Sequence, residues 1–387
     1  MTSAAELLAR AAELRPLISD NAERGERDRR IPAETLEALV SAGLFRLVQP
    51  KAYGGHELSM TELLEICATV AEADGGTAWV LTLCNTGAWI AGLFPERAQE
   101  ELWGADPEAL ICGALPPTST SRKVDGGHRL TGRWYWSSGS WHASWALLGL
   151  PLTDDSGAVV DQGIALVPKA ELGFEDTWDM AGMQSTGSNC LIAEDVFVPA
   201  HRIVSLPQAV RGELGVHHPR YRAGFGATLT LVLTAPQLGM GRAALRIVRA
   251  AADTKAVATT TYARQTDSVA FQLQLAEAAT RIDTAHLHTF RAAADIDDAA
   301  ARGVQPDPVT KARVRADTVW AIEQVRQAIE LLLTAHGASG FAHSSALQRI
   351  WRDSAVAARH AVAVLPVGLE VYGKALLGRE DQITPVL

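Results

Sequence analysis

The chain runs on two hydrophobic rhythms, and their order lays out its parts. From the N-terminus, apolar residues recur at three- and four-residue spacing, the period of helices with one buried face. Ser3 followed by Glu6 has the form of a capping box, opening a helix to about Asn21. The charged stretch Glu23–Arg30 then reads as a turn. Pro32 opens a second helix and Gly43 closes it, the usual asymmetry of proline at the start and glycine past the end. After a loop holding Pro50 and Gly54–Gly55, helical spacing returns over Ser59–Ala73, Gly75–Pro95 and PERAQEELWG. From Ala109 the rhythm shortens. ALICGALPP, HRLTGRWYW, SWALLGLPL, GIALVP and NCLIAEDVFVP are short, apolar or aromatic, and broken by Gly, Asp, Ser and Pro, which marks strands and turns. From about Pro219 it lengthens again, and Val319, Ile322, Val325, Ile329 and Leu332 share one helical face. Long helices with short connections read as a bundle. The pattern predicts an α+β multidomain protein: a helical domain over 1–108, a β-domain over 109–212 and a helical bundle over 213–387. VRGELGVHHPRYR reads as a loop at the last junction, a common setting for ligand pockets.

The 387 residues suit two or three cores. A net charge of -9 argues against a nucleic-acid partner, which needs a basic face, and leaves no polybasic patch for a membrane. Two uncharged runs, Gly75–Pro95 and Ala223–Gly241, fit buried helices better than membrane spans, since they carry Thr82, Asn85, Thr86 and Pro236. The N-terminus has early charge and no apolar signal core, so a cytoplasmic protein is expected. Cys67, Cys84, Cys112 and Cys190 lie far apart without a CxxC pair, and read as buried reduced thiols. No metal site is expected. His286 and His288 face different ways on a helix, and His217 and His218 sit in the junction loop.

Four stretches carry candidate chemistry. Thr131–Gly149 packs four tryptophans, a tyrosine, four serines and His142 into 19 residues. Aromatic bodies interleaved with hydroxyls suit a flat, partly polar ligand. Trp178–Pro199 contains the small, hydroxyl-rich run Gly182–Asn189. Such a run lets a ligand approach the backbone, although taken alone it reads as a hairpin turn. Near the C-terminus a Gly-rich loop leads into a helix carrying Arg349, Arg352, Asp353, Arg359 and His360. His360 is the best general acid or base among them, though a lone helical histidine is more often structural. Gly239-Met240-Gly241-Arg242-Ala243-Ala244 has the form GxGxxA. It lacks a preceding strand and an acid about 20 residues on, so close helix packing explains it better than dinucleotide binding.

The first three of these stretches, taken in order, resemble the acyl-CoA dehydrogenase fold over nearly the whole chain. GLFRLVQPKAYGG is similar to its N-terminal PxxYGG signature, and GRWYWSSGSWHASW to its flavin-contacting strand. GMQSTGSNCLIAEDVFVP is similar to its segment ending EDVxVP, and HGASGFAHSSALQRIWRD to its GGxGY-to-RD segment. The resemblance implies a helical N-domain, a β-barrel-like middle domain and a C-terminal four-helix bundle, assembled as a homotetramer. The flavin lies between the β-domain and the bundle, with a neighbouring subunit contributing. Arg264 stands where the family's bundle arginine reaches a neighbour's FAD, with Ser268 in place of the expected glycine.

Within the fold, the chain resembles the two-component flavin-dependent monooxygenases, including actinobacterial natural-product tailoring enzymes. Dehydrogenases of the fold use a Glu base after the RD pair. That position is Ala361 here, preceded by His360, and Glu370 lies one to three turns further on. The alternative, an acyl-CoA dehydrogenase-type FAD oxidoreductase, therefore lacks its base at that place. Trp141-His142-Ala143-Ser144-Trp145 matches the branch's xHxxW strand end, and GMQSTGSN its GMxGTGSN. The resemblance implies reduced FAD, with FMN left open, delivered by a separate NAD(P)H:flavin reductase. It implies molecular oxygen, a flavin C4a-hydroperoxide, and hydroxylation of a small aromatic or heteroaromatic molecule. Trp136, Ser137, Ser138, Met183, Ser185, Thr186, Ser188 and Arg264 would bind the cofactor, with Ser138 at flavin N5. Ser138, His360 and His142 would be catalytic, His360 supplying or relaying a proton. Trp79, Trp89, Phe94 and Trp141 would wall the substrate. Phenol hydroxylases of this branch carry a further N-domain histidine where Asn85, Thr86 and Gly87 stand here. Its lack leaves room for an indole-type substrate that needs no deprotonation.

Overall fold

The computed structural model describes residues 2–214, 219–221, 224–379, 381 and 383–384. The first layer is helical: α1 (Ala4–Asp28), α2 (Ala33–Ser41), α3 (Met60–Ala71), α4 (Gly75–Ala91) and α5 (Glu96–Trp103). Ser3 and Ser59 each complete a capping box, with Glu6 and Glu62. The predicted turn at Glu23–Arg30 is instead the last part of α1, which ends only where Arg29 takes φ 52°. Its one flexible residue, Gly25, is buried, and a Cβ there would meet Pro32 and Ser185 at 3.3 Å. Charges spaced three and four apart stay helical when a face has something to pack on.

The middle of the chain forms two four-stranded sheets. One has the order β1 (Ile111–Ala114), β4 (Trp145–Thr153), β5 (Val159–Pro168), β8 (Ile203–Ser205). The other has the order β2 (Ser119–Val124), β3 (Gly127–Ser137), β7 (Asn189–Pro199), β6 (Gly173–Glu175). β1 and β4 are parallel and every other pair is antiparallel. Buried Trp134 of β3 reaches across the sheets and donates to the Gly149 carbonyl of β4 at 2.9 Å. Strands β2, β6 and β8 escape the hydrophobic pattern, because β2 is polar and the other two are three residues long.

The remaining helices are α6 (Leu206–Arg211), α7 (Phe225–Leu231), α8 (Thr234–Ala252), α9 (Val269–Arg302), α10 (Pro308–His336), α11 (Ala346–Ala357) and α12 (Leu365–Leu376). The stripe Val319, Ile322, Val325, Ile329 and Leu332 is buried along α10. The junction stretch begins inside α6 and includes a 3-10 turn at Pro219–Tyr221; residues 215–218, with His217 and His218, lie outside the described residues. The first uncharged run is α4, and the second is carried by α7 and α8. No helix among the described residues is long and apolar enough to cross a membrane. All four cysteines are free and buried. No cluster of three or more metal-ligating side chains stands among the described residues.

The GxGxxA stretch lies inside α8. A Cβ on Gly239 would stand 2.1 Å from the Ala68 carbonyl oxygen and 2.4 Å from the Ala71 Cβ on α3. This glycine lets α3 and α8 touch backbone to backbone. Gly239→Ala is therefore expected to destabilise the protein by about 1–3 kcal/mol through overpacking. A thermal melt reads this, and an unchanged midpoint would show that the two helices do not meet there.

Candidate active site

The site begins with a fault in a strand. The register of β3 on β7 breaks between Trp134 and Ser137. Inside the break, Trp136 takes φ 63° and is 69% exposed. A non-glycine residue held there costs about 1–3 kcal/mol, so the surrounding structure must impose it. The bulge throws the Trp136 indole outward and turns Ser137 and Ser138 into the protein, where both are buried. Ser137 donates to the Trp134 carbonyl at 3.2 Å.

Ser138 starts a row of hydrogen bonds. Trp79 Nε1 on α4 donates to Ser138 Oγ at 3.2 Å, and Ser138 Oγ lies 2.7 Å from Ser188 Oγ. Ser188 Oγ lies 2.7 Å from Thr186 Oγ1, which donates to the Met183 carbonyl at 2.8 Å. The two ends fix the direction of the whole row. Thr186 spends its proton on a carbonyl, so it accepts from Ser188, and Ser188 accepts from Ser138. Ser138 thus has its proton engaged, accepts one bond from Trp79, and keeps one lone pair free.

The turn bearing Ser188 and Thr186 is held from the bundle. Asp353 on α11 accepts from the Met183 N–H at 2.5 Å, and Met183 itself has φ 55°. Arg352 donates to the Ala181 carbonyl at 2.6 Å and pairs with Glu26 of α1 at 2.5 Å. A Cβ on Gly182 would lie 2.4 Å from the Arg352 carbonyl oxygen, so α11 and the turn touch there. Arg29 adds a bond to the Trp178 carbonyl at 3.0 Å and a pair with Asp176 at 2.5 Å. The charged end of α1, read as a turn from sequence, is part of this cradle. Burial pushes the Asp353 carboxyl up to about 7, and the nearby Asp74 carboxylate adds to it. Ser185 faces away from the row, toward Asp74 at 3.4 Å and against Gly76.

His360 lies in the turn between α11 and α12, its ring centroid 5.8 Å from that of Trp79. Val362 N–H points at Nδ1 at 3.4 Å, which favours the tautomer with its proton on Nε2. The ring sits deep among protein atoms while one side stays open. Burial, with the charge of Arg315, holds its pKa at about 4. At neutral pH it is a neutral imidazole with an N–H to donate, and no standing imidazolium is present. His142 also sits at about 4, through burial and the charges of Lys169 and Arg30. Its Nε2 is enclosed without a partner among the described residues.

The structure does not gather every predicted residue. Trp141 packs on Phe174 at 4.6 Å, under the Arg30 guanidinium and against Gly187, behind the turn. Trp89 lies about 15 Å along α4 from Trp79, against Tyr221 and Phe225. Phe94 is buried in the core. Arg264 is exposed and pairs with Asp267 at 2.8 Å. Ser268, where glycine was expected, caps α9 by accepting from Phe271 N–H at 3.4 Å. Asn85 is buried and grips the backbone at Leu44 and Leu47, so it serves the N-domain loop. Sequence reasoning missed Trp79 as a partner of Ser138, and no local signal announces it.

The depressed His142 pKa has a stability consequence. The unfolded chain takes up a proton near the ordinary histidine value of 6.5, whereas the folded site resists until about 4. Below 6.5 the unfolded state binds more protons, so this residue costs stability as pH falls toward 4. Melting midpoints of wild type and His142→Asn should therefore shift against each other over that window, the wild type losing ground. A constant difference between them would contradict the burial of the neutral ring.

Comparison with known proteins places the chain. Residues 9–104 match the acyl-CoA dehydrogenase N-terminal domain, and residues 231–364 match its C-terminal domain. The chain is 34% identical over 362 residues to the flavin-dependent monooxygenase oxygenase subunit HsaA of Mycobacterium tuberculosis, covering 92% of each. It is 30% identical over 393 residues to the FADH2-dependent resorcinol hydroxylase oxygenase component of a Rhizobium species, covering 97% of this chain and 95% of that one. Among solved structures, XiaF from a Streptomyces species, in complex with FADH2 and glycerol, superposes with a TM-score of 0.94 at 36% identity, covering 99% and 98% of the two chains. The chain belongs to the flavin-dependent monooxygenases of the acyl-CoA dehydrogenase fold, as an oxygenase component that works with reduced flavin and oxygen and relies on a separate reductase.

Proposed function

We propose that this oxygenase hydroxylates a planar, electron-rich aromatic or heteroaromatic small molecule beside Trp79 and His360. The observation that carries the reading is the directed row from Trp79 through Ser138 to Met183. Its polarity leaves Ser138 with an acceptor lone pair, the complement of the N5–H that a reduced flavin offers. An exposed Trp136 indole and the backbone of the turn at Gly182–Ser188 supply a flat wall and donors beside it. The residues present therefore fit the cofactor.

Bound reduced FAD supplies the electrons that activate oxygen. The chain's part is to hold, orient and exclude water. Ser138 would accept a hydrogen bond from the reduced ring, and Ser188 and Thr186 hold its hydroxyl so that a lone pair stays free for it. Neutral His360, its ring centroid 5.8 Å from that of Trp79, would offer its Nε2–H to steady an oxygen and pass a proton. His142 shapes the turn as an uncharged, enclosed ring. Ser137, Ser185 and Met183 set the backbone of the cradle, while Trp141 supports it from behind. Arg264, free on its outer side, suits a neighbour's FAD in a homotetramer. Asn85 is occupied with backbone, which leaves no base here for a phenol and favours a substrate such as an indole. Glu370 is exposed on α12, so the dehydrogenase alternative gains no base from it. The four buried free thiols suit a reducing cytoplasm.

The test needs no substrate. Reduced, flavin-loaded protein mixed with oxygen is expected to show a transient absorbance distinct from oxidised flavin. In Ser138→Ala that transient should decay about tenfold faster, as loss of one hydrogen bond of about 1 kcal/mol or more implies. Absence of any transient in the wild type would sink the oxygenase reading. An unchanged decay in the variant would remove Ser138 from the flavin. With a flavin reductase added, a panel of phenols and indoles identifies the substrate by oxygen-dependent product.

A further inference from the structure

Four charged side chains are buried among the described residues: Asp74, Asp317, Asp353 and Arg315. The three acids have partners. Asp74 accepts from Thr77 N–H, Asp353 from Met183 N–H, and Asp317 pairs with Arg291 and His288. Arg315 has none. It is 4% exposed, and its Nε and Nη1 are enclosed without any hydrogen-bond partner. Guanidinium stays charged in a protein, so it cannot relieve this by losing its proton. An unpaired buried charge is among the most costly features a fold can carry.

Its neighbourhood points to the candidate active site. Arg315 lies on α10, and the nearest acid on that helix, Asp317, is about 200° around the axis and engaged elsewhere. One turn before it on the same face stands Lys311, half-buried and without an ion pair among the described residues. Gly368 of α12 lies against this face, where an added Cβ would meet Arg315's carbonyl oxygen at 3.3 Å. α12 follows directly on the turn that carries His360. The Arg315 charge reaches His360 strongly enough to help hold its proton off. Arg315 thus stands unpartnered within reach of His360, on a helix face packed by the helix that follows the His360 turn, with a second cation, Lys311, one turn before it.

We propose that Arg315, with Lys311 behind it, anchors an acidic oxygen group of the aromatic substrate, a carboxylate in the first instance. This rests on the hydroxylase reading and narrows its substrate class. The planar fork of a guanidinium matches two carboxylate oxygens side by side. A substrate held at that end would leave its aromatic ring toward Trp79 and His360. The charge left unpaired in the free protein becomes the main source of discrimination, because a neutral molecule of the same shape leaves it unpaired still.

The test uses the full chain loaded with reduced FAD under anaerobic conditions. The probes are matched pairs: indole-3-propionate against 3-ethylindole, and 3-(4-hydroxyphenyl)propionate against 4-ethylphenol. In the wild type, the acid of at least one pair should bind about tenfold tighter than its neutral partner. Arg315→Met should abolish that preference while moving the neutral partner's affinity by no more than about twofold. Arg315→Lys should keep part of it. Without ligand, Arg315→Met should raise the melting midpoint, because it removes an unpaired buried charge. Acids that bind no better than neutrals in the wild type would overturn the proposal. So would a lowered midpoint in Arg315→Met, which would mean that the charge has a structural partner. The oxygen transient is measured without any aromatic ligand, so its loss would sink the hydroxylase reading and leave these affinities to be judged alone.

Discussion

The site hangs on the backbone of one residue. The N–H of Met183 is taken by Asp353 of α11, and its carbonyl receives both Trp178 Nε1 and Thr186 Oγ1. Met183 holds its left-handed φ with both its N–H and its carbonyl engaged. Release either side and the turn has no reason to stay. The hydroxyl row ends on that same carbonyl, so the orientation of Ser138, at the far end, is inherited from a helix whose Asp353 lies 170 residues beyond Met183 in the chain. Asp353 is itself a burdened group. Burial and Asp74 raise its pKa to about 7, and Arg349, 3.9 Å from Asp74, offsets part of that repulsion. The fold accepts an expensive carboxylate here because a hydrogen bond to a charged acceptor is stronger and more directional than one to a neutral group.

The row works without ionised groups. Trp79, Ser138, Ser188, Thr186 and His360 are all neutral at neutral pH, and each can serve without a counter-ion. Direction replaces charge: once both ends are fixed, every hydroxyl proton is assigned. Of the two roles expected of His360, supplying or relaying a proton, this favours the relay. A residue at about 4 is a donor through its N–H and a weak acceptor, suited to steadying and passing a proton rather than delivering one outright.

Much of this was legible in the chain, and the losses have physical causes. The stripe on α10 and the capping boxes at Ser3 and Ser59 are local patterns, and local patterns survive folding. β2 did not show because an edge strand with alternating polar residues carries no apolar run. The end of α1 misread as a turn because its partners, Arg352 and Trp178, are remote in sequence. Within the site, the hydroxyl-rich run Gly182–Asn189 stood out, yet nothing in it separates Ser185, which faces Asp74, from Ser188, which joins the row. The 3-10 turn at Gln184–Thr186 makes that choice. Trp79 and Trp89 could have been parted by arithmetic: ten residues of helix carry a side chain about 15 Å along the axis and off its original face.

The position after the RD pair shows what the fold has given up and kept. Counted from the RD pair, the resemblance puts Ala361 at the place of the dehydrogenase base, and the adjacent His360 is driven neutral by burial and Arg315. Removing an ionised carboxylate from such a cleft also removes the natural counter-charge for any cation nearby. Among the described residues Arg315 is left unpaired, while the other buried charges, Asp74, Asp317 and Asp353, have partners. A charge of that kind persists only if something outside the chain completes it, or if its cost is tolerated for no return. The second Lys311 cation on the same face makes bare tolerance harder to sustain, since each raises the cost of the other. On the proposal that Arg315 anchors a substrate carboxylate, the absent base and the unpaired arginine belong together: such a site would hold its substrate by charge rather than pull a proton from it.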